Sequence, residues 1–264
     1  MKKLYVGWQN QDTREWIPVA KLEQTDIGYK LIYTSGAQRC RGFSGFGRMN
    51  NLGESYFSRE LFQFFENRVI KKSRPEYKRY LEWLDLTDPE PDALTILQVT
   101  GGIRSTDNFE IFSPPSKFNN KFLLNFFPRG LRRITKENDK EIKDLPNGKD
   151  LIIEHDIENK YDNNALILKT ENPSISIGYI PKYYTKGLKK AIDSNSKIRA
   201  FITKINNDAP IDMRVLCRLE IESPENDVDL LSVNEDFNDL NYEKISLSNE
   251  KIIINIAKYL GSNE

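Results

Sequence analysis

The residues best suited to chemistry form one short segment, residues 159–165, with the sequence NKYDNNA. A neighbouring aromatic ring and carboxylate can stack on a nucleobase and accept a hydrogen bond from a hydroxyl group. Asn and Asp also bond to their own backbone in turns and tolerate unusual φ angles, so a structural turn explains part of the pattern. Tyr161 could equally be a core residue. The segment alone therefore leaves a binding turn and a structural turn both open.

The rest of the chain has no convincing group of catalytic or metal-binding residues. His155 is the only histidine and no cysteine lies near it, which disfavours a zinc site and a Ser-His-Asp or Cys-His nucleophile. The glycine-rich residues 42–47 lack the Lys-Ser/Thr pair of a phosphate-binding loop. Asp162 alone would bind Mg²⁺ weakly. The sequence therefore predicts no catalytic residue, no metal and no cofactor.

Composition predicts a two-domain protein of a reducing compartment. The 264 residues suit two small domains, with 14 Phe, 12 Tyr and 3 Trp for their cores. Cys40 and Cys217 are far apart, and no apolar run is long enough for a signal peptide or a membrane span, so we expect a cytoplasmic protein without membrane contact. The net charge is zero, but residues 121–204 carry an excess of Lys and Arg. Any nucleic-acid binding would therefore be local.

Residues 1–116 are predicted to form a mixed α/β domain. Aromatic and β-branched runs indicate strands, and a glycine-rich loop follows the third of them. Ser58 is suited to cap the first helix, and Gly101 to end the last. Paired prolines within residues 113–116 favour a domain boundary. The predicted elements are strands at 4–8, 16–20, 29–34 and 109–112, and helices at 59–70, after Ser73 and at about 92–100.

Residues 117–222 are predicted to form a small β-barrel of the OB-like or SH3-like kind with one or two helices. Short apolar runs separated by turns give the order β-β-β-β-α-β-β, with a lysine-rich helix at 183–194. The whole chain is thus expected to be an α+β protein. The predicted strands are 122–127, 151–154, 165–169, 175–180, 198–205 and 213–222.

Residues 223–264 are predicted to be an acidic tail that ends in an amphipathic helix. The acidic stretch 220–239 has few aromatic residues, which indicates an extended or partly disordered segment. Residues 250–260 carry apolar side chains at helical spacing. The acidic stretch is either a plain solvated linker or a cover that competes with nucleic acid for the basic surface.

Three ordered motifs make residues 120–222 resemble the HIRAN domain. They are GLRR at 130–133, NKYDNNA at 159–165 and IGYIPK at 177–182, the last of which leads into a helix. This domain occurs in eukaryotic repair translocases and, in bacteria, in stand-alone or fused forms. The resemblance implies an OB-like barrel that captures the 3′ end of single-stranded DNA.

The resemblance assigns the end-reading roles to Tyr161 and Asp162. In such domains the aromatic residue stacks on the terminal base, and the carboxylate accepts a hydrogen bond from the 3′-hydroxyl. Stacking contributes about 1–3 kcal/mol and tolerates any base. A carboxylate is repelled by phosphate, which favours a free hydroxyl over a continuing backbone. Asn164 is expected to fix the turn.

Further residues extend the implied site. Arg132 matches the phosphate-binding arginine of the family. Arg133 stands where an aromatic residue is common in eukaryotic members, and its guanidinium group can also stack. Tyr179 and Lys182 fall at positions that line the groove. The following helix adds three lysines that either extend the basic surface or form a solvated face: Lys186, Lys189 and Lys190.

Residues 1–116 resemble the N-terminal subdomain of HipA-type toxin kinases. The shared series is LYVGW at 4–8, LIY at 31–33, YFS at 56–58 and the segments 61–68 and 74–77. In those kinases the subdomain precedes the catalytic core and helps to contact the antitoxin. No nucleotide loop or catalytic Asp follows in this sequence, so the kinase core is missing. The resemblance implies a protein partner for residues 1–116.

The sequence thus predicts a non-enzymatic protein that binds single-stranded DNA, with a preference for free 3′ ends, through residues 117–222. The first alternative is a protein-interaction or regulatory module that docks a HipA-type kinase, an antitoxin or another effector. The second is a nuclease or processing enzyme, which would degrade DNA with Mg²⁺ and lose that activity when Asp162 is changed.

Overall fold

The α+β prediction is confirmed by the computed structural model, which describes residues 2–11, 13–133, 136–222, 228–231 and 234–240. No helix in these ranges is long and apolar enough to cross a bilayer. The strands are β1 Lys3–Gln9, β2 Trp16–Thr25, β3 Gly28–Tyr33, β4 Ser55–Ser58, β5 Phe109–Phe112, β6 Ser116–Phe118, β7 Lys121–Phe126, β8 Asp150–His155, β9 Leu166–Lys169, β10 Ser176–Tyr179, β11 Lys197–Ile205 and β12 Val215–Glu222. The α-helices are α1 Ser35–Arg39, α2 Gln63–Glu66, α3 Tyr77–Trp83, α4 Ala93–Thr100, α5 Lys136–Lys143 and α6 Lys182–Asp193; the 3-10 helices are Leu131–Arg133, Ile211–Met213 and Glu235–Phe237.

The first sheet is antiparallel, with the strand order β4-β3-β2-β1-β5. Its core combines buried residues of the strands with Leu94 and Leu97 of α4. The Asp92 side chain caps α4 by accepting the Thr95 N–H at 3.1 Å, and Gly101 ends the helix at a φ of 73°. The predicted third helix is therefore confirmed and ends at Gly101 as expected, and its cap at Asp92 was not predicted.

The predicted helix over residues 59–70 is wrong. Ser58 ends β4, which pairs with β3, and only the four residues of α2 are helical in this stretch. Phe64 and Phe65 join an aromatic cluster in the core. The Arg68 guanidinium lies 4.2 Å from the Phe64 ring centroid and donates to the Gly102 carbonyl at 2.9 Å. Packing of these large side chains against distant residues overrides the helical spacing.

The second sheet is open, so the predicted OB-like or SH3-like barrel does not close. Its order is β10-β9-β8-β11-β12-β7-β6, and in the described part of the chain its end strands do not pair. Arg129, which follows β7, and Tyr179 of β10 form an isolated bridge in which they exchange two backbone hydrogen bonds of 2.8 Å. Gly130 has a φ of 82°, a left-handed conformation that turns the chain out of an extended path directly after Arg129. The strand β6 and the helix α5 were not predicted.

The two sheets pack against each other through residues at the end of β5. Phe112 stacks on Tyr183 of α6, with ring centroids 3.8 Å apart. The hydroxyl of Tyr184 donates to the Ser113 carbonyl at 2.7 Å. Because β5 lies in the first sheet and β6 in the second, the chain changes sheets between residues 112 and 116. The domain limits 1–116, 117–222 and 223–264 stay predictions.

The acidic stretch after β12 was predicted to be extended or partly disordered, and two segments of it are held by long-range contacts. Residues 228–231 and 234–240, which we call the strap, connect α6 to the first sheet. Gly187 of α6 packs so closely that a Cβ there would lie 2.2 Å from the Leu230 carbonyl oxygen. Asp239 pairs with Lys21 at 2.7 Å, and Asp236 with Arg39 at 2.5 Å. These long-range ion pairs place the strap against the first sheet. The predicted helix at 250–260 lies outside the described residues.

Candidate nucleic-acid interface

The segment 159–165 forms the turn between β8 and β9 and is fixed by its own side chains. Asn159 Oδ1 accepts hydrogen bonds from the N–H groups of Tyr161 at 3.0 Å and Asp162 at 3.1 Å. The Asp162 carboxylate accepts the N–H of Asn164 at 3.0 Å. Such local bonds are the usual role of Asn and Asp in turns. Tyr161 is 71% exposed, so the structural turn forms without placing this ring in the core.

Arg133 lies over the Tyr161 ring, which brings the first and second motifs together. Its guanidinium carbon is 5.3 Å from the ring centroid. The short 3-10 helix Leu131–Arg133 positions this side chain just after Gly130. A cation over an exposed aromatic ring contributes about 0.5–1 kcal/mol. The ring and the guanidinium group thus form one continuous surface.

Tyr179, from the third motif, stabilises the turn through a hydrogen bond to Asp156. Its hydroxyl donates to the Asp156 carboxylate at 2.7 Å, and the Asn159 amide donates to the same oxygen at 3.1 Å. The Tyr179 bond is the main cause that lowers the pKa of Asp156, and burial followed by this bond raises the pKa of Tyr179. A Cβ at Gly130 would lie 3.3 Å from the Tyr179 ring. Tyr179 is therefore half-buried between the first and second motifs. Its hydroxyl group holds the turn, and its ring is less exposed than that of Tyr161.

The lysines of α6 differ in what they contact. Lys182 Nζ donates to the Tyr161 carbonyl at 3.3 Å, and Lys189 Nζ donates to Asn164 Oδ1 at 3.4 Å. Lys186 is exposed and lines a cleft toward the first sheet, whereas Lys190 is exposed and does not line that cleft. Two lysines of this helix thus border the turn, and the predicted site residue Lys186 points to a different surface.

Arg132 is paired with an acid outside the turn. Its Nε donates to Asp212 Oδ1 at 2.9 Å, and Nη2 contacts the second oxygen of the same carboxylate. This bond raises the pKa of Arg132. Both partners are exposed, and exposed pairs of this kind are weak because water competes for the charges. The pair can therefore exchange Asp212 for a phosphate at little cost.

The remaining candidate groups have structural partners. His155 Nε2 lies 2.8 Å from the Asn163 carbonyl oxygen and so braces the turn. Within the described ranges, no three His, Cys, Asp or Glu side chains come together as a metal site. Burial raises the pKa of the Cys40 thiol to about 11 and also raises that of Cys217, so neither thiol is poised to act as a nucleophile.

Two contacts that support the site were not predicted from the sequence. Asp156 and Asn159 stand three positions apart before Tyr161, a spacing typical of a side chain that bonds within its own turn. The sequence therefore contains a local signal for the bond between Asp156 and Asn159. Lys189 was named only as part of a basic helix face, because its contact with Asn164 spans 25 positions and has no local signature.

One family model and two solved structures are similar to part of this chain. Residues 121–223 match the family model described as HIRAN domain. A crystal structure of a protein from Lactobacillus plantarum is 17% identical with a TM-score of 0.31, and the alignment covers 38% of this chain and 89% of that chain. The crystal structure of the HIRAN domain of human HLTF is 18% identical with a TM-score of 0.30, covering 39% of this chain and 78% of that chain. No curated protein matches the sequence significantly.

The HIRAN resemblance is thus confirmed for residues 121–223. Because this family is known for DNA binding, the match supports nucleic-acid binding in general by this part of the chain. The match does not reach residues 1–120, so the resemblance to HipA-type kinases gains no support from it. The protein partner of residues 1–116 and the cytoplasmic location stay predictions.

Proposed function

We propose that residues 117–222 bind the free 3′ end of single-stranded DNA, with Tyr161 as the stacking surface and Asp162 as the hydroxyl acceptor. One observation carries the proposal: the Tyr161 ring is 71% exposed on a turn that its own hydrogen bonds hold in place. An exposed ring on an ordered turn is available to stack on a base. Because the turn is already ordered, binding a base loses little conformational entropy.

The charges around the ring suit a polynucleotide. Arg133 contacts the ring itself, Lys182 donates to the Tyr161 carbonyl, and Lys189 donates to Asn164. Each cation that moves to a phosphate releases counterions from the strand, which favours binding at low salt. Arg132 adds a further cation when its exposed pair with Asp212 is exchanged.

Asp162 gives the site its preference for a free 3′ end of the DNA strand. One of its oxygens is held by the Asn164 N–H, and among the described residues the other has no hydrogen-bond partner. That oxygen can accept the 3′-hydroxyl of a terminal nucleotide. A 3′-phosphate at the same place would set two negative charges against each other. The site therefore binds a 3′-hydroxyl more tightly than a 3′-phosphate.

Asp162→Asn is expected to remove this preference while leaving the turn intact. The amide oxygen of Asn can still accept the Asn164 N–H, but the negative charge is gone. We expect the wild type to bind a 3′-hydroxyl oligonucleotide at least about fivefold more tightly than its 3′-phosphorylated counterpart, and the variant to bind both alike. Fluorescence anisotropy with the two labelled oligonucleotides measures this.

The matched control is Asp193→Asn, which removes the same charge at the exposed end of α6. It should keep the wild-type preference. Equal affinity of the wild type for both oligonucleotides, or an unchanged preference in Asp162→Asn, would contradict the role of Asp162.

A further inference from the structure

A cleft lies between the first sheet and α6, beside the Tyr161 turn. Its volume is about 80 Å³, and residues from the first sheet, from α6 and from the strap line it. It combines aromatic rings with two lysines, a set of groups that suits a base and its phosphate. The lining residues that matter for binding are Trp16, Phe112, Lys182, Tyr183, Lys186 and Leu231.

Lys182 connects the cleft with the Tyr161 turn. Its Nζ donates to the Tyr161 carbonyl at 3.3 Å, and the same residue lines the cleft. Lys186 follows one helical turn later, roughly 5.4 Å along the axis, and also lines the cleft. A strand whose terminal base lies on Tyr161 would therefore meet these two lysines in succession as it continues toward the first sheet.

The charge of the cleft is favourable for a polyanion. Glu15 is the only acid among the described residues that line it. Its carboxylate accepts a hydrogen bond from the Arg39 guanidinium at 3.1 Å, and the same guanidinium also pairs with Asp236. Lys182 and Lys186 are not offset by any acid that lines the cleft. Among the described residues that line the cleft, two lysines thus stand against one carboxylate.

Trp16 provides a stacking surface on the opposite wall. It begins β2, and its ring packs over Gly7 of β1, where an added Cβ would lie 3.3 Å from the Trp16 ring. The sheet therefore holds the ring in place, and the ring is only half-buried. An indole held this way offers the largest aromatic face among protein side chains.

We propose that this cleft binds the nucleotides that precede the 3′-terminal one, with a base on Trp16 and a phosphate at Lys186. The proposal rests on the function proposed for Tyr161, and it gives residues 1–116 a direct part in nucleic-acid binding. The ligand class is a single strand long enough to reach from the turn into the cleft. A very short oligonucleotide would occupy the Tyr161 turn alone.

The test compares two lengths of 3′-hydroxyl single-stranded DNA, about 3 and about 12 nucleotides, on the full chain by fluorescence anisotropy competition. Trp16→Ala is expected to weaken the long strand about tenfold and to leave the short one unchanged. Tyr161→Ala should weaken both. An unchanged affinity of Trp16→Ala for the long strand, or an equal loss for both lengths, overturns the cleft proposal. Failure of the wild type to bind either strand overturns the end-binding function itself.

Two charge reversals on α6 provide a test that does not depend on removing a packed ring. Lys186→Glu and Lys190→Glu change the same charge on exposed residues of one helix, but only Lys186 lines the cleft. Lys186→Glu should weaken the long strand clearly more than Lys190→Glu does. Equal effects would show general electrostatic attraction and contradict a defined site. Thermal unfolding of each variant checks that the fold is kept.

Discussion

Arg129→Met is expected to lower the free energy of unfolding by about 3–5 kcal/mol, because it leaves a buried carboxylate without its counter-charge. Arg129 forms an ion pair with Glu110 of β5, whose side chain is only 4% exposed. The hydroxyl of Tyr183 donates to the same carboxylate at 2.7 Å. This cluster joins the two sheets, so its loss affects the packing of the whole chain. Urea unfolding followed by circular dichroism measures the change.

The pKa shifts of Arg129 and Tyr183 agree with an ion pair between Arg129 and Glu110. Burial alone would lower the pKa of Arg129, but Glu110 and Tyr183 outweigh burial and hold it above the ordinary value. Burial raises the pKa of Tyr183 well above its ordinary value, and the charge of Glu110 adds to this. The guanidinium group therefore stays charged and the phenol stays neutral at every pH at which the protein would be studied.

The control is the double variant Arg129→Met with Glu110→Gln. It removes both charges and keeps an oxygen that accepts the Tyr183 hydroxyl. We expect it to be more stable than Arg129→Met alone by about 2 kcal/mol, since the lone buried charge is gone. The single variant Glu110→Gln completes the comparison. If the double variant loses as much free energy of unfolding as the two single variants lose together, the two residues are not coupled and the account of this cluster is wrong.

Tyr161→Ala is expected to weaken binding of single-stranded DNA by about 5- to 150-fold, which corresponds to the 1–3 kcal/mol of one stacked base. Stability should change little because the ring is 71% exposed and its main contact is with Arg133. Fluorescence anisotropy at fixed salt gives the affinity, and thermal unfolding gives the stability.

Tyr161→Phe separates stacking from hydrogen bonding. Phenylalanine keeps the ring and loses only the hydroxyl group, so we expect it to bind within about twofold of the wild type. Wild-type affinity in the alanine variant would mean that DNA binds elsewhere. An equal loss in both variants would mean that the hydroxyl group, and not the ring, contacts the ligand.

Local chemistry explains which elements could be predicted from sequence. The NKYDNNA turn depends on hydrogen bonds that span two or three residues, and α4 ends at a glycine in the left-handed region, so the residue types reveal both. The cap of α4 at Asp92 is equally local but was not predicted. The helix α6 and the long strands β11 and β12 follow from periodic apolar residues, and each was predicted within two residues of its observed bounds.

Long-range packing explains what the sequence did not reveal. The apolar spacing of residues 59–70 is helical, but Phe64 packs against the rings of Phe46 and Phe109, and Arg68 donates to the Gly102 carbonyl. The strap has an acidic composition typical of disorder, and its order comes from Lys21 and Arg39, which are about 200 positions away. No local pattern encodes such pairs.

The difference between local and long-range contacts also explains which parts of the candidate site could be predicted. Tyr161 and Asp162 were identified because their motif is local. The contact of Arg133 with Tyr161, the pair of Arg132 with Asp212 and the support from Tyr179 link separate segments. The resemblance placed these residues at one site, but it did not distinguish the support at Tyr179 from a groove surface, or place Lys186 in the cleft beside Trp16.

The most direct test of the central claim compares a linear single-stranded DNA with a covalently closed circle of the same sequence and length. The circle offers the same bases and phosphates but has no 3′-hydroxyl, so any difference in affinity comes from the end. We expect the linear strand to bind at least about fivefold more tightly at physiological salt. Equal affinity for the two forms would show that this protein binds along a strand, and would contradict recognition of its end by Tyr161 and Asp162.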